Sequence, residues 1–187
     1  MPVPHHATLD TPRLHLRPLQ EADLADLWAL NADPEVTRFL PHGPWHTPAD
    51  AQAWWARSQA RTATGEAWHW ALVSRESGRV IGHILLFRFD ADSARAELGY
   101  ALAQAHWGQG WVREAVQAVL SAAFGSWGLR RIEAEVNPLN QPSSQLLLRL
   151  GFAREGLLRQ RWVFQGQPYD THIYGLLASD WAAPSAV

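Results

Sequence analysis

Ala105-His106-Trp107-Gly108-Gln109-Gly110-Trp111-Val112-Arg113-Glu114 is the stretch that decides how this chain reads. It lies between an alternating segment, Arg95–Leu102, and a strongly amphipathic helix over residues 112–124. That helix carries Val112, Ala115, Val116, Val119, Leu120 and Ala123 on one stripe. Glycines at 108 and 110 let the backbone take positive φ and come close to a ligand. Unpaired N–H groups at a helix N-terminus then converge on one spot, with the positive end of the dipole behind them, which suits a pyrophosphate. The same two glycines also suit an ordinary strand-to-helix turn. The segment is not a dinucleotide fingerprint, since the third glycine and the ribose-binding acid of a βαβ unit are missing. A phosphate loop, which needs Gly-Lys-Ser/Thr, is excluded too.

The order of elements follows from the periodicities on either side. Residues 13–17 alternate and predict a strand. Glu21 to Leu30 predicts an amphipathic helix with acids in its first turn. Asp33-Pro34 begins a second short piece, and Pro41-His42-Gly43-Pro44 is loop. Thr47-Pro48 reads as an N-cap and a first-turn proline, opening a helix through about Arg61. Residues 68–74 and 79–89 are strands joined by Glu76-Ser77-Gly78. In Arg95–Leu102, Ala96, Leu98, Tyr100 and Leu102 face one way, and Arg95, Glu97, Gly99 and Ala101 the other. Residues 131–137 alternate Ile132, Ala134 and Val136 against Glu133, Glu135 and Asn137. A helix over 142–150 ends at Gly151, and 152–177 forms two long strands around Gln165-Gly166-Gln167-Pro168. The prediction is a single α/β (α+β) domain over residues 1–187, its core about 8–181. Its central sheet is mixed and mostly antiparallel.

Composition narrows the function. The 187 residues include no cysteine and eleven tryptophans, and all sixteen basic residues are arginine. That excludes a cysteine nucleophile, a disulfide, a thiolate metal site and a Schiff-base lysine. A net charge of −2 gives no case for nucleic-acid steering, although Arg130, Arg131, Arg149, Arg154, Arg159 and Arg161 crowd one region. No apolar run is long enough to span a membrane. Met1 to His6 lacks the basic and apolar regions of a signal peptide, so a cytoplasmic setting is expected. His5-His6 are expected to be solvated. His42 and His46 are four apart, but Gly43 and Pro44 break the helix that would align them on a metal, and no metal is expected.

Glu97-Leu98-Gly99-Tyr100, Trp107-Gly108-Gln109-Gly110 and Glu114-Ala115 together resemble the GNAT superfamily of acetyl-CoA-dependent N-acetyltransferases. Within it, the chain is similar to the RimJ/RimL branch, which acetylates N-terminal amines of ribosomal proteins and has relatives with other acceptors. The likeness runs from Thr11-Pro12-Arg13-Leu14 through Trp70-Ala71-Leu72, Val80-Ile81-Gly82, Asn140-Gln141-Pro142-Ser143 and Leu150-Gly151-Phe152. It closes at Gly166, Asp170 and Tyr174. It implies a sheet whose two central strands splay apart to admit the pantetheine arm of acetyl-CoA, which pairs with backbone near Ala101 and Leu102. The pyrophosphate would rest on the N–H groups of Gly108, Gln109, Gly110, Trp111, Val112 and Arg113, with Trp107 in the same cofactor loop, and Asn140 would reach the pantetheine side. Val112 stands where the family has Gly or Ala.

Acetyl transfer to an amine requires a neutral amine, a polarised thioester carbonyl and a stabilised leaving thiolate. Many members use a tyrosine on the helix after the Asn motif; the matching position here is Leu147. The branch carries a serine three residues after the asparagine, which is Ser143, a residue that also suits bonding free N–H groups at a helix start. For the base, Glu97 sits beside the expected gap. Glu133, Glu135, His69 and His83 are alternatives, and Glu97 paired with an arginine is the structural reading. Trp45, Trp54 and Trp55 lie where the family covers the acceptor; they suit core packing or an aromatic acceptor wall. Trp70 and Trp181 match structural positions. The expected partners are acetyl-CoA and a primary amine, a peptide N-terminus or a small amine or antibiotic, handled by a monomer or homodimer. A non-catalytic acyl-CoA-binding protein is the reading from another class.

Overall fold

The computed structural model describes residues 7–164 and 166–182, so His5, His6 and Gln165 fall outside it. In chain order the elements are β1 (Leu9–Asp10), β2 (Leu14–Pro18), α1 (Leu24–Asn31), α2 (Pro34–Thr37) and α3 (Pro48–Ala63). There follow β3 (Ala67–Ser74), β4 (Val80–Asp90), β5 (Arg95–Leu102), α4 (Trp111–Phe124) and β6 (Arg131–Val136). α5 (Gln141–Arg149), β7 (Ala153–Phe164) and β8 (Gln167–Leu177) complete the chain. Local chemistry sets the boundaries. At the head of α3, the Asp50 carboxylate accepts the Thr47 N–H at 2.8 Å and Pro48 takes the first turn. The first helix starts later than its periodicity predicts. Asp23 accepts from the Gln20 N–H and from the Arg17 guanidinium, which holds residues 21–23 in a tighter 3₁₀ turn. Gly151, at φ 94°, ends α5 as expected.

The strands form one eight-stranded sheet in the order β1-β2-β3-β4-β5-β6-β8-β7. All neighbours are antiparallel except β5 and β6, whose parallel pairing needs a crossover, supplied by α4. One sheet face packs on α4 and α5. Leu16, Leu72, Ile84, Leu86, Ala96, Leu98, Ile132 and Leu176 meet Ala115, Val116, Val119, Leu120 and Leu147 in a single core. Each fully buried leucine or isoleucine there contributes about 1.5–3 kcal/mol relative to exposure. Trp70 and Trp127 stack within this core, ring centroids 5.6 Å apart, and the Trp70 indole N–H donates to the Ala7 carbonyl at 2.8 Å. Trp181 packs against Phe124.

The opposite face is covered by α1, α2 and α3. Ala71 and Val80 meet Leu24, Leu27, Trp45, Ala51 and Trp54. Ala101 lies under Leu30 and Val36. The sheet thus has one continuous apolar face and a second face divided between smaller clusters. The carboxylates of β5 and β6 project from that second face.

Candidate active site

β5 and β6 are paired only over Arg95↔Arg131, Ala96↔Ile132 and Glu97↔Glu133. Beyond that apex β5 stays bound to β4 as far as Leu102, and β6 stays bound to β8 as far as Val136. The two strands therefore part, leaving a cleft between Leu98–Leu102 and Ala134–Val136. Antiparallel alternation decides which peptide groups face it. The Ala103 N–H bonds the Ile81 carbonyl at 2.9 Å, so Ala101 turns its N–H and C=O toward β4. Tyr100 and Leu102 turn theirs into the cleft. The Leu102 carbonyl accepts the Trp107 indole N–H at 2.8 Å. Of the two residues expected to pair with a pantetheine arm, Leu102 thus turns its peptide groups into the cleft, whereas those of Ala101 are turned to β4. Tyr100 has the free peptide groups.

At the open end of this cleft stands the glycine loop. Gly108 and Gly110 have φ 71° and 81°, values that side-chain-bearing residues rarely adopt. The first bond of α4 runs from the Glu114 N–H to the Gly110 carbonyl at 3.1 Å. That leaves the N–H groups of Trp111, Val112 and Arg113 outside the helical ladder and pointing outward. Val112 does not disturb the helix start. The loop is braced from β2 and its approach. Glu114 accepts from the Thr11 hydroxyl at 2.6 Å, the Arg13 N–H at 2.9 Å and the Arg13 Nε at 2.6 Å. Arg13 also donates to the Gln109 carbonyl at 3.1 Å, and its guanidinium lies 4.2 Å from the Trp111 ring centre. Burial pushes the Glu114 carboxyl up, but the bonds from Thr11 and Arg13 outweigh it and hold the group below its ordinary value. The Gln109 side chain is spent within the loop, donating to the Ala105 carbonyl and accepting from Trp111.

Across the cleft, Asn140 caps α5, its Oδ1 accepting the Ser143 N–H at 3.2 Å. The Ser143 hydroxyl is hydrogen-bonded to the Tyr100 hydroxyl at 2.7 Å. Burial pushes the Tyr100 phenol up to about 12, so it stays protonated near neutrality. Leu147 is fully buried in the core. A phenol therefore reaches this point from β5 rather than from α5, which the sequence reading missed. The only signal for it was a lone tyrosine on a face of Ala96, Leu98 and Leu102.

At the apex, Glu97 is buried, and Arg88 donates to it at 2.7 Å and to Glu135 at 3.1 Å. Arg88 sits at φ 53° beside a register shift between β4 and β5. This bulge aims its side chain across the sheet. Burial raises the Glu97 carboxyl above its ordinary value, and Arg88 partly offsets this. Glu135 also accepts from the Trp162 indole and from Arg161. Glu133 is held by Arg95 and Arg131. These pairings neutralise part of the arginine-rich region noted in the sequence. Trp45 and Trp54 are buried, packed edge to face at 5.6 Å, while Trp55 is half-buried against the same cluster. The His42 Nδ1 lies 3.0 Å from the Gly43 carbonyl. Among the described residues no group of three His, Asp or Glu is placed to hold a metal. No described helix is long and apolar enough to cross a membrane.

Residues 13–153 match the family model described as acetyltransferase (GNAT) domain. The chain belongs to the GNAT acetyltransferase family. It is 36% identical over 175 residues to the uncharacterized N-acetyltransferase p20 of Bacillus licheniformis, covering 94% of this chain and 98% of p20. It is 30% identical to the [ribosomal protein uS5]-alanine N-acetyltransferase of Escherichia coli, covering 92% of each. A crystal structure of a GCN5-related N-acetyltransferase from Brucella melitensis superposes with TM-score 0.86 at 25% identity, covering 96% of this chain and 82% of that one. The molecule is an acetyl-CoA-dependent acetyltransferase. The parted GNAT strands, the free Tyr100 peptide groups and the outward N–H groups of α4 fit that substrate's extended arm and phosphates.

Proposed function

We propose that the enzyme moves the acetyl group directly from acetyl-CoA to a primary amine, with the α-amine of a protein or peptide as the acceptor. Such direct transfer needs no covalent enzyme intermediate, in keeping with a chain that has neither cysteine nor lysine. The observation that carries the reading is the Tyr100–Ser143 hydroxyl pair, lying across the cleft beside the free backbone of β5. A neutral phenol backed by a serine hydroxyl can donate to the leaving sulfur and limit its charge. In this proposal the outward N–H groups of α4, with Gly108 and Gly110, hold the pyrophosphate. The Tyr100 peptide groups, flanked by Leu102 and Asn140, align the pantetheine arm. Glu97, at the apex, draws the positively charged acceptor toward the thioester. Holding amine and thioester together supplies much of the rate.

The choice of a peptide amine rests on the similarity, along nearly the whole chain, to an enzyme named for the uS5 alanine. The proposed setting is the cytoplasm. The test is an acetyl-CoA turnover screen against alanyl and seryl peptides, polyamines, amino acids and aminoglycosides, with product masses determined. Acetylation of peptide α-amines is expected. Turnover confined to polyamines or aminoglycosides would replace the acceptor class. Tight acetyl-CoA binding without CoA release from any amine would indicate a binding protein instead.

A further inference from the structure

On the sheet face away from α4, three side chains form a hydrogen-bonded row that ends in an unused nitrogen. Ser58 Oγ on α3 lies 2.9 Å from His69 Nδ1 on β3. His69 Nε2 lies 2.8 Å from His83 Nδ1 on β4. His83 is only 6% exposed, and its Nε2 is buried with no hydrogen-bond partner among the described residues. A buried imidazole nitrogen left unpaired is costly and calls for an explanation.

Its position offers one. The two ring nitrogens point away from each other, so with Nδ1 turned to β3, Nε2 turns away from β3. His83 is paired in register with Ala101, one residue from Tyr100 on the strand that edges the cleft. Ala101 and His83 share the face covered by α1 and α2. Trp54 packs edge-on against both imidazoles, at 5.2 and 5.5 Å between ring centres, and fixes their planes. The other titratable groups acting on the row are His42 from the loop before α3, felt by His83, and Arg61 of α3, felt by His69. No carboxylate is among them.

We propose that His83 Nε2 receives the proton of the acceptor amine and that the row conducts it to solvent. This rests on the acetyl-transfer reading above. The acceptor nitrogen gives one proton to His83 Nε2 as its lone pair becomes available to the thioester carbonyl. His83 Nδ1–H passes to His69 Nε2, His69 Nδ1–H passes to Ser58 Oγ, and half-buried Ser58 releases a proton to water. Each imidazole changes tautomer and stays neutral. The freed amine then attacks, the N–C bond forms and the C–S bond breaks; the Tyr100–Ser143 pair gives a proton to the departing sulfur and is refilled by the second proton, which the new amide nitrogen sheds. Relay rather than storage fits the burial, which pushes His83 down to about 3 and His69 well down too, so neither ring holds a second proton near neutrality.

The test uses the full chain with an alanyl peptide and, separately, spermidine as acceptors. If wild type acetylates neither while binding acetyl-CoA, the acetyl-transfer reading fails at these acceptors, and the proposal fails with it. If wild type turns over, His83→Ala is expected to lose about a hundredfold or more in kcat, with the KM for acetyl-CoA within threefold, and to regain rate with added imidazole. His69→Gln, which keeps His83 but breaks the row, is expected to lose about tenfold and to change the solvent hydrogen-isotope effect. Wild-type kcat in His83→Ala overturns the proposal. So does a loss that imidazole does not restore in a variant with a normal melting transition. If His83→Ala does not fold, His69→Gln decides: an unchanged rate and isotope effect overturn it.

Discussion

The hydroxyls of Tyr100 and Ser143 meet at 2.7 Å, one carried by β5 and the other by the first turn of α5. The two hydroxyls are expected to act as one group. Tyr100→Phe and Ser143→Ala should each lower kcat by about tenfold to a hundredfold, with little change in the KM for acetyl-CoA. Because the groups act as a unit, the double variant should be close to the worse single variant. Steady-state release of CoA thiol measures this, and independent, multiplying losses would rule out a shared role.

Glu114 ties the glycine loop to Thr11 and Arg13. Glu114→Gln should raise the KM for acetyl-CoA several-fold and lower the urea midpoint. The sign with pH is fixed. The carboxyl is depressed in the fold, so its contribution is present above the ordinary value of 4.5 and lost as pH falls below it. Wild type and variant should therefore differ at pH 7 and converge in acid, once the pH has fallen through the depressed value. A gap that persists in acid would place the effect elsewhere.

Gly110 sits at φ 81°, where an added Cβ would also come within 3.6 Å of the Arg13 guanidinium. Gly110→Ala should cost about 1–2 kcal/mol from the backbone alone and weaken acetyl-CoA binding. Isothermal titration and thermal melts check both. Full affinity would show that the loop tolerates another path.

The Glu97 carboxyl is raised by burial. Its proposed pull on a cationic acceptor is present when it is ionised and fades as pH falls through the raised value. Glu97→Gln should raise the acceptor KM and flatten the acidic limb of kcat/KM for a peptide acceptor. An acidic limb identical to wild type would remove Glu97 from acceptor binding.

Trp54 is buried between Trp45 and the two histidines, so Trp54→Ala should lose about 3–5 kcal/mol. Trp55→Ala should melt much closer to wild type, since Trp55 is half-buried. Calorimetry distinguishes them, and equal melting temperatures would contradict the packing described for α3.

The strands and helices were legible because their periodicities are local. Arg95–Leu102 alternates cleanly, and the α4 stripe from Ala115 to Ala123 can be read directly. The glycine loop was legible for the same reason. Four features were not. The Tyr100–Ser143 contact joins residues 43 apart, and the brace from Arg13 to Glu114 spans 101. The turn of the Ala101 peptide toward β4 depends on hydrogen-bond phase, which side-chain alternation does not reveal. Sequence assigned Glu97 a place beside the gap but carried no sign of Arg88, because a bulge in β4 brings that side chain across.

The three-pair seam between β5 and β6 has a bearing on how the molecule assembles. β1–β5 form a meander of near neighbours in sequence, whereas β6, β7 and β8 form a second hairpin-like group. Backbone bonding between these groups of described strands is confined to the apex, so the cleft takes its shape only when the two groups come together. Closing such distant pairings is the slow event in folding. In pulsed hydrogen exchange during refolding, amides of β3–β4 and of β7–β8 should gain protection before those of Ala96 and Glu133.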